Sequence, residues 1–336
     1  MAFISARPLL LAMLLATPLL ASVPCFAINQ STSLPEVFCK SVHLEGINQV
    51  IDKYKTWSEL KRYPENLAEN SSAQLFDSTA AFTKAFKTKT ADLQDQPSAW
   101  NGRELILNKK IPTKWLGLWA LHSTVEKALS QQSIPAAASF EVGILAQKAL
   151  AEAQGLNWTK YTKQINDLFG RVLIPAHQDM KLDQTFQILL HSVHVDHSYQ
   201  IPYLAGYAKN DAHQIYIDSG IKPEYKMPDG EKMDVSLDLT IHEFVEKSLI
   251  DWVPLTEKVY LRTHQIAQRI EKAMVQHYGY SWAYYQGNIM QKEIFRADEI
   301  GRSDATLVRV PKDLDLTPYI DFEEWDMIKR MKKVGQ

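Results

Sequence analysis

Residues 121–129 read LHSTVEKAL and residues 241–249 read IHEFVEKSL, and this recurrence is the main guide to the fold. A second pair of segments, QKALAEAQGLNWTKY (147–161) and EKAMVQHYGYSWAYY (271–285), repeats a Gly-x-x-Trp-x-x-Tyr ending. Helical periodicity alone explains shared Leu, Ala and Lys residues, but it does not explain this shared ending. The sequence therefore predicts an internal duplication.

The two repeats have the same predicted order of elements. A short β-type run precedes a helix that carries a His-x-x-x-Glu pair, and a second helix ends at a glycine placed as a C-terminal cap. In the second repeat the first helix is predicted over 238–252, with Asp238 or Thr240 near its N-cap, and the second over 257–277. Together with strands predicted at 172–175 and within 191–203, this pattern predicts a helix-rich α+β fold.

The repeat and the two ends of the chain divide the sequence into four predicted parts. They are a signal peptide at 1–27, a first repeat unit at 35–168, a second repeat unit at 169–300, and a C-terminal tail at 301–336 that packs on the units.

The first 27 residues have the composition of a secretory signal peptide. Arg7 is their only charge, and an apolar run, PLLLAMLLATPLL (8–20), follows it. The alternative is an uncleaved membrane anchor, which is disfavoured because the run is short for a span and is broken by Pro18. Cleavage after Ala27 leaves Cys39 as the one cysteine, so no disulfide framework is expected. No later apolar run is long enough for a membrane span. We expect export, with the periplasm as the destination.

Composition and charge exclude several classes of protein. With 46% hydrophobic and 23% charged residues, the chain is neither a disordered nor a collagen-like protein. Its 37 Lys and Arg residues are balanced by 39 Asp and Glu residues, so there is no basic field for nucleic acid. We therefore expect no nucleic-acid partner, and the composition specifies no oligomeric state.

One group of residues in the second repeat unit has the spacing of a metal site. His242 and Glu246 are four residues apart, so on a helix they lie one turn apart on the same face. His264 follows on the next predicted helix, with 17 residues between it and Glu246. Two histidines and one carboxylate are a ligand set of catalytic zinc, with water as the fourth ligand. The spacing predicts one zinc ion per chain, held by these three residues.

The segment His242-Glu243-Phe244-Val245-Glu246 resembles the H-E-x-x-H helix of zinc metallopeptidases. The resemblance covers about 30 residues, and Glu246 stands where the family has its second histidine. It implies a zincin-like second unit in which Glu243 is the general base. The wider pattern YID…P…IHEFVEK…THQIAQRIE is also similar to uncharacterised phage and bacterial proteins with an H-E-x-x-E motif.

Glu271 extends this group by one residue. It lies seven positions after His264, two helical turns along the same face. It is predicted either to orient a ligand or to bind the metal itself. The alternative for the whole face is a solvated set of ion pairs, in which Glu243 pairs with Lys247 and Arg269 contributes further positive charge.

The first repeat unit retains only part of the set, namely His122 and Glu126. At the other three positions the alignment pairs Ser123, Phe140 and Gln147 with Glu243, His264 and Glu271. A unit without the base, the third ligand and the outer carboxylate is predicted to be non-catalytic, with a structural or substrate-binding role. Simple divergence of two non-functional copies is the alternative.

A second group of polar residues lies between the two predicted helix pairs, at His191, His194, Asp196 and His197. On a strand these side chains alternate between two faces, which argues against a single metal site. The tyrosines that follow, including Tyr199 and Tyr207, are placed to form the wall of a cleft. A tyrosine or histidine within 194–207 is a candidate to stabilise an oxyanion.

These observations predict an exported zinc-dependent hydrolase, in particular a metallopeptidase that acts on peptides or proteins. In this prediction the metal activates a water molecule, and Glu243 accepts its proton. The alternative is a non-catalytic binding or scaffold protein, with a structural metal site or with none.

Overall fold

Helices dominate the part of the chain that the structure describes, and small sheets accompany them. In this computed structural model the described residues are 88–170, 179–201, 204–253, 257–290, 292–293, 296, 309–315 and 332–333. All of them belong to one compact unit, Phe76–Gln336. The α+β class predicted from the sequence is confirmed. The predicted signal peptide, Cys39 and the strand predicted at 172–175 lie outside the described residues.

The first half of this region, residues 88–170, begins with a three-stranded sheet. Its strands are β1 (Thr88–Ala91), β2 (Ser98–Asn101) and β3 (Glu104–Asn108). They lie in the order β1-β3-β2, with β1 parallel and β2 antiparallel to β3. After a 3-10 turn come the helices α1 (Leu116–Gln131), α2 (Ala136–Ala153) and α3 (Trp158–Phe169).

The second half, residues 179–293, opens with helix α4 (Asp179–His191) and then forms another three-stranded sheet. Its strands are β4 (His194–Asp196), β5 (Ala205–Ala208) and β6 (Asp211–Ile217). A two-stranded hairpin follows, formed by β7 (Tyr225–Lys226) and β8 (Lys232–Met233). The helices are α5 (Val235–Trp252), α6 (Glu257–His277) and α7 (Trp282–Tyr284), the last of which continues as a π-helix over Tyr285–Met290. Two short parallel strands complete the list, β9 (Arg309–Val310) and β10 (Lys332–Lys333).

The two three-stranded sheets share strand order, strand direction and the turn that follows them. The second sheet has the order β4-β6-β5, with β4 parallel and β5 antiparallel to β6. After β3, the carbonyl and side-chain oxygens of Asn108 accept backbone N–H groups from Ile111 and Lys110. After β6, Asp218 accepts the same two bonds from Ile221 and Gly220. The two halves therefore turn from sheet to helix in the same way.

The second helix of each half also ends in the same way. Gly155 and Gly279 follow α2 and α6 with positive φ angles of 66° and 84°. In each case the glycine N–H and the N–H of the next residue bond back to carbonyls in the last helical turn. This is the hydrogen-bond pattern of a Schellman cap, in which glycine adopts the left-handed conformation without steric conflict.

The helices of the two halves pack into one hydrophobic core. Helix α1 packs on α2, α5 packs on α6, and α1 contacts α5. Trp100 on β2 and Trp252 at the end of α5 meet edge to face at 5.4 Å across the two halves. None of the described helices is both long and apolar enough to cross a bilayer.

Three predicted boundaries can be compared with the structure. The prediction for α6, 257–277, is confirmed. The predicted start of α5 at Asp238 or Thr240 is wrong, because the Asp234 side chain accepts the Ser236 N–H at 2.9 Å and caps the helix one turn earlier. The strand predicted within 191–203 is confined to β4, since His191 ends helix α4.

The glycine that ends α6 provides a test of the cap. We expect Gly279→Ala to lower the free energy of unfolding by about 1–2 kcal/mol, because the left-handed conformation brings Cβ against the following carbonyl oxygen. Gly287→Ala is the control: it lies in the π-helix without a positive φ, and nothing lies within 4 Å of an added Cβ. Urea unfolding of both variants measures the difference, and equal losses would contradict the assignment.

Candidate metal centre

Helix α5 is enclosed by other elements, so its polar residues need partners inside the protein. It contacts α1, α4, α6 and the strands β5 and β6, and every residue from Asp238 to Ile250 is buried. The alternative of a solvated ionic face is therefore wrong. The expected Glu243–Lys247 pair is also replaced, because Lys247 Nζ lies 2.7 Å from the Asp251 carboxylate instead.

Three atoms of ligand type converge between α5 and α6. Nδ1 of His264 lies 2.7 Å from Oε2 of Glu246 and 3.1 Å from Nε2 of His242. Nε2 of His242 lies 3.5 Å from the same Glu246 oxygen. Within the described part of the chain, this is the only set of three or more His, Cys, Asp or Glu residues with ligand atoms grouped in this way. The three residues predicted as ligands are therefore neighbours in the fold.

Hydrogen bonding alone does not satisfy the three atoms. A ring nitrogen carries at most one proton, and an ionised carboxylate oxygen only accepts. The two short contacts share the Nδ1 atom of His264, so only one of them is a full hydrogen bond at any time. The His242–Glu246 separation of 3.5 Å is too long to be a good hydrogen bond. A cation among the three atoms would satisfy all of their lone pairs together.

Glu271 contacts His242 from the side that faces away from this group. Its Oε2 atom accepts a hydrogen bond from Nδ1 of His242 at 2.8 Å, whereas Nε2 of the same ring faces His264. The other Glu271 oxygen accepts the hydroxyl of Tyr285 at 2.6 Å. Glu271 thus orients the His242 ring, which is one of the two roles predicted for it, and Tyr285 in turn orients Glu271.

Glu246 is held from behind in a similar way. Tyr207 on β5 donates its hydroxyl proton to Oε1 of Glu246 at 3.0 Å, which leaves Oε2 directed at the two histidines. Tyr207 was predicted to line a cleft and to be among the candidates for stabilising an oxyanion. In the structure its hydroxyl is buried and bound to Glu246, so it acts on the carboxylate instead.

Neighbouring groups of opposite charge determine the protonation of these residues. Burial alone would raise the pKa of Glu246, but its contacts with the His242 and His264 imidazoles outweigh burial and lower the pKa to about 2. Burial opposes protonation of His242, but the neighbouring Glu271 carboxylate and the nearby Glu246 carboxylate raise its pKa well above the usual value. Without a bound cation, these carboxylates therefore favour the protonated form of the His242 imidazole.

Glu243 lies next to His242 and is buried, with 8% of its surface exposed. Burial raises the pKa of its carboxyl group to about 7, and the charge of Glu246 adds to this shift. The position predicted for a general base thus holds a buried acid whose pKa lies near neutrality.

The first half contains a counterpart of the Tyr285–Glu271 hydrogen bond, with an amide in place of the carboxylate. Gln147 on α2 donates to the Tyr161 hydroxyl at 2.7 Å, at the positions that correspond to Glu271 and Tyr285. The sequence alignment pairs these four residues: Gln147 and Glu271 each lie six residues before the end of α2 or α6, and Tyr161 and Tyr285 lie in the helical segments that follow.

The centre of the first half is apolar where the second half is polar. The His122 ring meets Phe140 edge to face at 4.7 Å, as His242 meets His264 at 4.6 Å. Neither His122 nitrogen makes a hydrogen bond, and Nε2 lies 3.6 Å from Glu126. Burial lowers the pKa of His122 to about 3, so this imidazole is neutral at physiological pH. No set of three ligand-type atoms forms among residues 88–170.

The histidines near β4 do not form a comparable group. Nδ1 of His191 contacts the Gln187 carbonyl within α4 at 2.6 Å. His194 and His197 are exposed, and the Asp196 carboxylate accepts the Ser198 N–H. His191 ends α4, only His194 and Asp196 lie on β4, and the four residues do not converge on one point.

Sequence reasoning missed the site roles of Asp238, Tyr207 and Tyr285. Tyr285 is part of the repeat because it corresponds to Tyr161, but no sequence pattern connects Tyr285 to Glu271. Asp238 was interpreted as a helix cap, whereas it lies inside α5 with its Oδ1 atom buried and without a hydrogen bond. Burial raises the pKa of Asp238 well above the usual value, and the charges of Glu271 and Asp234 raise it further.

No protein-family model, no curated protein and no solved structure matches this chain.

The raised pKa of Asp238 predicts a specific pH dependence of stability. An acid with a higher pKa in the folded chain stabilises the fold fully only below its unfolded pKa, and that contribution is lost as the pH rises towards the folded value. Asp238→Asn removes the ionisation. We expect the free energy of unfolding of this variant, relative to the parent, to increase between about pH 5 and pH 8.

Urea unfolding at several pH values measures this effect. Asp95→Asn is the control, because the Asp95 side chain is 90% exposed. A constant difference between Asp238→Asn and the parent over the pH range would show that Asp238 is already ionised without penalty in the fold.

Proposed function

We propose that His242, Glu246 and His264 bind one divalent cation per chain, and that this cation is zinc. The observation that carries the proposal is the convergence of their three lone-pair atoms within 2.7–3.5 Å of one another. Two ligands of a tetrahedral zinc ion, each at 2.0–2.1 Å, lie about 3.3 Å apart. Two imidazoles and one carboxylate are also the ligand types that catalytic zinc uses.

The outer hydrogen bonds support this proposal. A histidine that ligates a metal commonly donates its other ring N–H to a carboxylate, which fixes the tautomer and the ring orientation. His242 has this arrangement with Glu271, and Tyr285 anchors the Glu271 carboxylate. Tyr207 directs the free oxygen of Glu246 towards the same point. The ligand atoms are therefore oriented for a cation before it binds.

The proposed reaction is hydrolysis of a peptide or protein substrate. A cation bound here would supply Lewis-acid polarisation of a carbonyl group and a coordinated water of lowered pKa. Glu243 is the proposed general base: it follows His242 directly, as in the H-E-x-x-H helix, and burial raises the pKa of its carboxyl group to about 7. It would accept the proton of the attacking water and pass it to the leaving amine.

We also propose that the two halves arose by duplication and that the second half is the zincin-like, catalytic one. The shared strand order, the shared turns after β3 and β6, and the shared caps after α2 and α6 support common descent. The apolar centre around His122 supports a structural role for the first half. The composition of residues 1–27 supports export of the protein, with the periplasm as its proposed location.

A second candidate function is a structural metal site in a non-catalytic binding protein. The depth of the group favours it: the side chains of Glu246, His242 and His264 are 2%, 7% and 20% exposed. A substrate would have to approach on the His264 side, where the group is most open.

Metal content tests the proposed site. We expect one zinc ion per chain after dialysis, and its loss in His264→Phe, because two remaining ligands are too few for a stable zinc site. This variant introduces the residue that the first half carries at the same place, Phe140. The control is His122→Leu, in which the metal should be retained. Elemental analysis by mass spectrometry decides; full zinc content in His264→Phe would remove that residue from the ligand set.

Two glutamate variants separate catalysis from metal binding. Glu243→Gln keeps the shape of the side chain but does not accept a proton, so hydrolysis of a fluorogenic peptide library should fall by about 10²–10⁴-fold. Its zinc content should not change. Glu246→Gln should lose zinc, because the change weakens one of the three proposed ligands.

The outcomes are distinguishable. A Glu243→Gln variant with full activity would exclude Glu243 as the base. A parent protein that binds zinc but hydrolyses no member of the library would favour the structural candidate.

A further inference from the structure

The C-terminal residues 309–315 extend the sheet that carries Tyr207. Strand β5 is the outer strand of the sheet β4-β6-β5. Leu314 forms an antiparallel bridge with Ala208, and the Lys209 N–H donates to the Asp313 carbonyl at 2.6 Å. The Asp315 N–H donates to the carbonyl of Tyr207 itself at 2.9 Å. The segment therefore occupies the free edge of β5 and binds the backbone of Tyr207.

Side chains hold this segment against the sheet. Val310 and Leu314 are buried with three residues of the second half in a small separate cluster, formed with Ile201, Ala208 and Tyr216. The Tyr216 hydroxyl donates to the Asp313 carboxylate at 2.7 Å. A Cβ atom on Gly206 would lie 2.9 Å from a Leu314 methyl group, so the absence of a side chain there permits the close approach.

A buried lysine links the segment to the proposed ligand helix. Lys247 follows Glu246 on α5, and its ammonium group is bound by the Lys209 carbonyl and the Asp251 carboxylate, each at 2.7 Å. The carboxylate of Asp315 lies 3.7 Å from the same ammonium group. This ammonium group also lies 5.4 Å from the centre of the Tyr207 ring, within the range of a cation–π contact.

Among the described residues, no equivalent of this connection is found in the first half. Trp100 pairs with Leu105 as Tyr207 pairs with Ile215, so the two aromatic residues correspond. The Trp100 indole N–H donates to the Ser123 backbone carbonyl and not to a carboxylate. The connection from the sheet edge to a carboxylate is thus found in the half that has the three converging ligand atoms.

We propose that residues 309–315 and Tyr207 are positioning elements of the cation site. The segment fixes the backbone and ring of Tyr207, and the Tyr207 hydroxyl fixes Glu246 with Oε2 directed at the two histidines. This inference rests on the proposed function, because it explains the affinity of a cation for His242, Glu246 and His264. It assigns no contact with the cation to Tyr207 or to the segment.

The test measures zinc affinity in the full-length protein by competition with a chromogenic chelator. Tyr207→Phe removes only the hydroxyl group, and Leu314→Asp places a charge in the small cluster that holds the segment. Loss of an outer partner commonly weakens metal binding by about 10- to 100-fold, and we expect this increase in the zinc Kd for each variant. Because both act on Glu246 by one route, the double variant should bind no more weakly than the weaker single variant.

Trp100→Phe is the matched control, since it removes the corresponding donor in the first half, and its zinc Kd should equal that of the parent. Circular dichroism and thermal unfolding verify the fold of each variant. If Leu314→Asp does not fold, the zinc Kd of Tyr207→Phe alone decides the test. Unchanged zinc affinity in folded Tyr207→Phe would overturn the positioning role while the proposed cation site stands. A parent protein that binds no zinc would overturn both.

Discussion

The carboxylate of Glu246 is the group on which the polar interior around α5 depends. An ionised carboxylate away from water is strongly destabilising unless it is paired and hydrogen-bonded. Glu246 is contacted by groups from two other elements, the imidazole of His264 on α6 and the hydroxyl of Tyr207 on β5. One side chain therefore ties helix α5 to a helix on one side and to a sheet on the other. A shift of either neighbour would remove one of the two partners of a buried negative charge, so the separation of α5, α6 and β5 is constrained.

The parts of this arrangement that the sequence predicted are those that depend on one helix and its nearest neighbour. His242 and Glu246 share a face because they are one turn apart, and His264 joins them because α6 packs directly on α5. The bounds of α6 were also predictable, since a glycine cap and an apolar stripe mark them. The start of α5 was not, because Asp234 and Asp238 are both suitable caps and only the fold shows that Asp238 is buried.

The partners that orient the proposed ligands were not predictable for a different reason. Tyr207 precedes Glu246 by 39 residues, and residues 309–315 follow it by more than 60. No helical or strand period connects positions so far apart, and the contact arises only when the sheet packs on α5. Periodicity predicts which face of an element is buried, but it does not predict which polar group on another element meets that face. Hydrogen bonds that orient site residues from distant elements are therefore not predictable from one sequence alone.

The two halves provide an internal comparison that separates the needs of the fold from those of the site. Their backbones share a strand order, a turn after the sheet and a cap after the second helix. Four polar positions around His242 nevertheless differ: Asp238, Glu243, His264 and Glu271 correspond to Leu118, Ser123, Phe140 and Gln147. The fold is thus compatible with uncharged residues at all four positions.

Three buried acids and an imidazole in their place cost solvation free energy whenever they are charged, and ionised acids repel one another. A bound divalent cation would offset this repulsion by neutralising the group and binding only the folded chain. The proposed cation site thus accounts for the polar residues of the second half, and the neutral residues of the first half need no such ion. Under this proposal the stability of the second half depends on cation occupancy, and that of the first half depends on hydrophobic packing.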